Sequence, residues 1–349
     1  MMREIKIGNK FIGKNNPTFV IAEAGCNHDC ILERGRQLII KAAENGADAI
    51  KFQTFDAKKL VTRDVPRFWE KNADGTTQYS LYETQDDLTK DEYLELVRLC
   101  KERNIIFLST PFDEESVDFL EELNVPAYKI ASTDLTNIPF LRYIAAKNKP
   151  IILSVGMGSL GEVEEAVNAI KNEGNNDIIL LHCMVIYPTP ADQANIRFMQ
   201  TLQRLYPEHP VGFSDHTLDI NVPIAAAALG ARVIEKHFTI DKNIKGAPDH
   251  PISVDPGELK DMVKGIREAQ LALGSGIRRI TGEEIYAIKT GRRRIVANVD
   301  IPAGTKIEPY MIARKRSNEG LHPRYVDVII GRETRTDIKE DEGITWDKI

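Results

Sequence analysis

The chain has 349 residues, with 46 Lys and Arg against 52 Asp and Glu for a formal charge of −6. That length suggests about two domains, with enough core that neither disulfides nor a structural metal is needed for folding. There is no basic excess to neutralise a phosphate backbone, which excludes nucleic acid as an expected partner, and four cysteines in so long a chain form no disulfide framework.

The N-terminal run MMREIKIGNKFIGKNNPTF carries charges without an apolar core and cleavage site, so no secretion signal is expected. The longest apolar stretch, near Ala225 to Leu229, is far short of the ~20 residues of a membrane span. No membrane partner and a cytoplasmic location are the expectation.

From Phe19 onward, apolar runs alternate with amphipathic segments. Predicted strands are FVIAEA from Phe19, DAIKFQT from Asp48, IIFLST from Ile105 and AYKIAS from Ala127. PIILSVG from Pro150, DIILLHC from Asp177, PVGFSD from Pro210 and RVIEKHF from Arg232 follow. They lack a polar face, as strands covered on both sides do. Helix-like segments such as LERGRQLIIKAAENG, DEYLELVRLCKERN and LGEVEEAVNAIKNEG lie between them, starting in acids and ending in Lys, Asn or Gly. Eight such units over roughly 275 residues predict a (β/α)₈ TIM barrel. A doubly wound open sheet is the alternative, but no GxGxxG follows the first strand. The long polar stretch between Thr54 and Thr89 has the character of an active-site cover.

After Gly274 the chain turns polar and basic, then shows short alternating strands with Pro-Ala-Gly and Glu-Gly turns. The predicted organisation is a barrel domain at 1–275, a linker at 276–291 and a small β-rich domain at 292–349.

The chemistry of such a barrel sits where its strands end. The polar residues there are Glu23, Lys51 with Gln53, Ser109 with Thr110, Lys129 with Ser132, Ser154, His182, Ser214 with His216, and Glu235 with His237. A lysine buried at a strand end needs an anion beside it. Lys51 and Lys129, with the hydroxyls of Thr110, Ser132, Ser154 and Ser214, therefore predict a cradle for phosphate and carboxylate. His216 and His237 end neighbouring strands, with Glu23 on the first strand, and suit a divalent metal with open positions; acid–base work is the other use of such histidines. Cys26, His28 and Cys30 form C-x-H-x-C without a second CxxC, which marks a loop with free thiols rather than a zinc site.

These segments resemble the N-acetylneuraminate (sialic acid) synthase family, from IAEAGCNH through KFQTF, LSTPFD, AYKIAS, ILSVGMGS, HCMVIYPTP, GFSDHT and ALGARVIEKHFT to PDHPISVDPGEL. VANVDIPAGTKI and RKRSNEGLHP resemble the antifreeze-like (SAF) domain that follows the barrel in those enzymes. The resemblance implies a transferase that joins phosphoenolpyruvate to an N-acylated hexose such as N-acetylmannosamine, giving a nine-carbon 2-keto acid and phosphate. Legionaminate, pseudaminate and N-acylneuraminate-9-phosphate synthases are the neighbouring alternatives.

By the resemblance, Lys51, Thr110, Lys129, Ser132, Ser154 and Ser214 fall where phosphoenolpyruvate is held. His216 and His237 fall at the metal, Mn²⁺ first with Mg²⁺ or Co²⁺ as alternatives. Gln53, Asn72, Tyr187 and Asp249 fall on the sugar side, Glu23 and Glu235 at catalytic positions. Arg316 matches the SAF arginine that reaches the sugar's N-acyl group, in a homodimer where one chain's small domain covers the other's barrel. The chain departs from the family pattern at Ser317, Glu319, Ala247, Thr133 and Val185. These departures bear on which sugar is used. A non-catalytic carbohydrate-binding protein and a metal-dependent class II aldolase are the readings from other classes.

Overall fold

The computed structural model describes residues 2–69, 76–85 and 88–349. The chain divides between Gly274 and Ser275 into two compact units.

The first unit opens with a hairpin absent from the sequence reading, β1 (Ile5–Ile7) against β2 (Lys10–Ile12), paired antiparallel with Ile5 opposite Ile12. Its three isoleucines are buried with Phe19, Ile21, Ile106, Ile152, Ile179 and Val233, so the hairpin packs on the residues that fill the barrel interior. The barrel strands are β3 (Phe19–Gly25), β4 (Ala49–Thr54), β5 (Ile106–Pro111), β6 (Tyr128–Ile130), β7 (Ile151–Ser154), β8 (Ile178–Cys183), β9 (Val211–Asp215) and β10 (Val233–His237). They run parallel in the spatial order β5-β4-β3-β10-β9-β8-β7-β6. β5 and β6 lie side by side and nearly close the ring. This is the eight-stranded barrel that the alternating runs predict.

Each strand leads into a helix of the outer layer: α1 (Leu32–Glu44), α2 (Lys90–Glu102), α3 (Glu114–Glu122), α4 (Ile138–Ala145), α5 (Leu160–Asn172), α6 (Phe198–Leu205), α7 (Asn221–Ala228) and α8 (Pro256–Leu273). Their starts are set locally. Thr89, Asp113, Ser159 and Asp255 accept from the third helical N–H, and at Thr89, Ser159 and Asp255 a glutamate completes the reciprocal capping box. The main core lies between strands and helices, where Val20, Ile50, Phe52, Phe107, Tyr128, Leu180 and Ile234 meet Leu38, Leu96, Leu120, Leu141, Ile170, Leu202 and Ile266. Strand residues thus alternate between that layer and the barrel axis, and this alternation aims the residues at the strand ends. Cys30 N–H donates to Nδ1 of buried His28 at 3.0 Å and Cys30 Sγ to the Thr84 carbonyl at 3.6 Å, contacts in keeping with the loop reading of C-x-H-x-C.

The second unit contains helix α9 (Gly282–Gly291), inside the stretch read as a linker. Thr281 and Glu284 form its capping box, and none of its residues is buried. Beyond it, β11 (Arg293–Ala297) pairs antiparallel with β12 (Ile312–Arg316), and Ile295, Ala297, Ile301, Ile307, Leu321, Ile329, Ile338 and Ile344 make a separate small core. Among the described residues no helix is long and apolar enough to cross a membrane.

Candidate active site

At the C-terminal rim of the barrel, one cavity is lined by Glu23, Lys51, Gln53, Thr110, Lys129, Ser132, Ser154, Tyr187, Ser214, His216, Glu235 and His237. These twelve residues come from eight separate strands or the loops that follow them, and several converge because they lie two steps from an inward-facing apolar residue, as Lys129 does from Ala127 and Glu235 from Val233. Ser109 and His182 share the strand ends but not the cavity. Ser109 Oγ pairs with Thr54 Oγ1 at 2.7 Å, and His182 Nε2 pairs with the Ala194 carbonyl at 2.9 Å. The next residue, Cys183, takes the inward place, its Sγ 3.0 Å from Ser132 Oγ. The two-residue step from Ile179 and Leu181 was the signal for it.

Two lysines and two carboxylates, each no more than 5% exposed, form the floor. Lys51 Nζ lies 2.7 Å from Glu23 Oε2 and 3.8 Å from Glu235 Oε2, and donates to Thr110 Oγ1 at 2.9 Å. Lys129 Nζ lies 3.5 Å from Glu235 Oε1 and donates to Ser154 Oγ at 2.8 Å. Ser214 Oγ donates to Glu235 Oε1 at 2.9 Å, and Gln53 Nε2 to Glu23 Oε1 at 3.3 Å.

The carboxylates are held in opposite states. Burial raises Glu23 to about 7, with Lys51 opposing and Glu235 adding to the rise. Burial acts on Glu235 in the same sense, but Lys129 and Lys51 outweigh it and bring its carboxyl down to about 2. Opposite shifts in adjacent carboxylates are the usual mark of a divided acid–base role.

His216 and His237 face each other with ring centroids 5.4 Å apart, under the Tyr187 ring at 4.2 and 6.1 Å. Burial lowers them to about 4 and about 3, aided at His216 by His237 and at His237 by Lys51, so both rings are neutral near pH 7. His216 Nδ1 meets the Met184 carbonyl at 2.7 Å, a contact that places its proton there and leaves the Nε2 lone pair as an acceptor or metal ligand. His237 Nδ1 is buried without a hydrogen bond, 3.5 Å from Asp249 Oδ2. Two neutral imidazoles fit a divalent transition metal, but among the described residues no cluster of three or more His, Cys, Asp or Glu completes its shell. An ion held by these two imidazoles would need further ligands from outside the cluster.

Burial pushes Asp249 up to about 6, and it joins the site through His237. Asn72 falls outside the described residues. Arg316 ends β12 in the second unit, with its side chain exposed. The sequence reading missed Phe68, Phe112 and Met157, which with Val185 make an apolar outer wall. Phe68 comes from the long stretch after β4.

A (β/α)₈ barrel whose rim joins buried lysines, paired carboxylates and two histidines marks an enzyme with a site suited to anionic groups. Residues 38–278 match the NeuB family and residues 292–349 match the SAF domain, and the chain belongs to the NeuB family. It is 42% identical to the N,N'-diacetyllegionaminic acid synthase of Campylobacter jejuni, over 94% of this chain and 98% of that one. It is 34% identical to the human N-acetylneuraminate-9-phosphate synthase, over 96% and 93%. Among solved structures, the N-acetylneuraminic acid synthetase of Leptospira borgpetersenii, in complex with citrate, superposes with a TM-score of 0.73 at 38% identity, covering 82% of this chain and 96% of that one. The protein is accordingly a transferase-type synthase that condenses phosphoenolpyruvate with a sugar.

Proposed function

We propose that this enzyme joins phosphoenolpyruvate, an N-acylated hexose and water into a nine-carbon 2-keto sugar acid, with release of phosphate. The acceptor is N-acetylmannosamine or a 2,4-diacetamido relative, as the names of the legionaminic acid synthases at 42% and 39% identity suggest. The observation that carries the reading is the pair of buried lysines held against two buried carboxylates. A buried cation is stable only with an anion beside it, so Lys51 and Lys129 stand ready to take phosphate and carboxylate groups as new partners. Thr110, Ser132, Ser154 and Ser214 supply hydroxyl donors around them.

The methylene carbon of phosphoenolpyruvate bonds to the sugar's aldehyde carbon, and the aldehyde oxygen takes a proton. Water then adds to the adjacent cationic carbon, and the tetrahedral adduct expels phosphate. Glu23, raised to about 7, is suited to carry the proton to or from the sugar oxygen or the water. Glu235, held ionised, compensates the positive charge that develops at the adjacent carbon. Gln53, Tyr187 and Asp249 are assigned to the sugar. His216 and His237 are assigned to a divalent metal, Mn²⁺ in the first instance, which when bound polarises the acceptor aldehyde.

The reading extends to a cytoplasmic homodimer in which the small domain of one chain serves the barrel of its partner. Arg316 supports it, being exposed and paired with no carboxylate among the described residues. A phosphate-release assay with phosphoenolpyruvate and N-acetylmannosamine, its 6-phosphate, or 2,4-diacetamido hexoses tests the function. Release that requires both substrates is expected. No release with any acceptor would overturn the reading in favour of a non-catalytic carbohydrate-binding protein.

A further inference from the structure

The long loop between β10 and α8 carries Asp249 to the site and is tied by side-chain hydrogen bonds to the loop after β3. Asp29 is the hub. Its Oδ1 accepts from the Ala247 N–H at 2.6 Å and its Oδ2 faces His250 Nε2 at 2.9 Å, across 218 and 221 positions of sequence. Arg34 forms an ion pair with the same carboxylate. The other ring nitrogen of His250, a fully buried residue, meets Thr239 Oγ1 at 2.7 Å, so both edges of the ring are fixed.

Two features show that this contact is built into the backbone. Asp29 adopts φ 44°, the left-handed region that a non-glycine residue enters only when its surroundings hold it there. A Cβ at Gly246 would stand 2.1 Å from Asp29 Oδ1, so only glycine lets the carboxylate reach the loop. A second stitch lies alongside. Asn27 Nδ2 donates to the Phe238 carbonyl at 2.9 Å and to Ser253 Oγ at 3.0 Å, and Ser253 Oγ donates to the Asp249 carbonyl at 2.6 Å.

Asp249 is therefore flanked by two residues bound to Asp29, Ala247 before it and His250 after it. We propose that Asp29 and His250 are positioning residues for the acceptor sugar: they hold the 246–253 loop so that the Asp249 carboxylate faces His237 and the Gln53 side of the cavity. The inference rests on the assignment of Asp249 to the sugar. The groups assigned to phosphoenolpyruvate lie on or after β4, β5, β6, β7 and β9, none of which carries a residue of the clamp. Losing the clamp should thus separate the two substrates. Displacing a binding group by about 1 Å costs up to about 100-fold in rate, so a 10- to 100-fold effect on the acceptor is the scale expected.

The test uses the full-length enzyme with His250→Ala, His250→Gln, Asp29→Asn, Asp249→Ala and the double variant Asp249→Ala/His250→Ala. His250→Ala should raise KM for the acceptor about 10-fold or more and leave KM for phosphoenolpyruvate within about twofold, with partial recovery in His250→Gln, whose amide keeps a donor. Because the clamp acts through Asp249, His250→Ala should add nothing in the Asp249→Ala background. Equal rises in both KM values, or additive losses in the double variant, would overturn the proposal. Trypsin cleavage at Lys242 and Lys245, within the loop, gives a readout independent of turnover and should accelerate in His250→Ala and Asp29→Asn. Unchanged cleavage would refute the clamp itself. Faster cleavage in the variants, together with a wild type that shows no acceptor-dependent phosphate release, would instead refute the assignment of function and keep the clamp.

Discussion

Replacing Lys236 with methionine is expected to destabilise the barrel by about 3–5 kcal/mol, the range for stranding one partner of a buried ion pair. Lys236 lies between Glu235 and His237 and so faces the helix layer, opposite Asp215 in the β9–β10 register. Its side chain is 1% exposed and that of Asp215 is 0%. Lys236 Nζ donates to Asp215 Oδ2 at 2.6 Å and to the Thr217 carbonyl at 2.6 Å, while Asp215 also accepts from Thr217 N–H at 2.9 Å and Thr217 Oγ1 at 3.0 Å. Methionine replaces most of the stem, so the packing loss is small. What remains is a carboxylate without its cation and a carbonyl without its donor. Urea denaturation followed by circular dichroism at 222 nm measures the loss, with Asp215→Asn and the double variant completing a cycle. The double variant should be more stable than Lys236→Met, since it no longer buries a lone charge. A loss below about 1 kcal/mol in Lys236→Met, or strict additivity in the cycle, would refute the reasoning. Because Asp215 and Thr217 flank His216, the same variant should also bind metal less tightly.

Lys51→Met and Lys129→Met should each lower kcat/KM for phosphoenolpyruvate by about 30- to 1,000-fold, equivalent to 2–4 kcal/mol of charge-assisted contact, and wild-type kinetics in both would remove them from the cradle. Chelation should abolish turnover and Mn²⁺ restore it, with His237→Ala lowering the metal content found by elemental analysis; full activity in excess chelator would exclude the metal role. Glu23, raised from 4.5 to about 7, contributes stability that is fully present below pH 4.5 and lost as pH rises through 7, so Glu23→Gln should flatten the fall in Tm between pH 5 and 7.5. An identical slope in the variant would contradict the shift. Mixed dimers of Arg316→Ala and Lys51→Met chains should regain activity, since one site then has both residues intact; verified heterodimers without recovery would confine each small domain to its own barrel or to neither.

The eight apolar runs and the helices between them made the barrel legible in the chain, because a strand covered on both faces needs an uninterrupted apolar run and a capped helix announces its own start. The strand-end rule also located Lys51, Lys129, His216, Glu235 and His237, since polar residues closing apolar runs have few other uses. Local pattern could not supply the rest. Three-residue strands such as β1 and β2 carry too little periodicity to be read, and α9 had a capping signal without a buried stripe to confirm it. Lys236 sits inside an apolar run, where only its Asp215 partner on the next strand explains a charge. Whether Glu23 or Glu235 holds a proton depends on which lysines stand beside each, and so on distances across the barrel. The contact of Asp29 with Gly246 and His250 joins loops more than 200 residues apart, and no run, cap or spacing records it. Periodicity is a property of neighbours in sequence and builds elements; charge state and side-chain placement are properties of neighbours in space, which exist only once the ring of strands has closed.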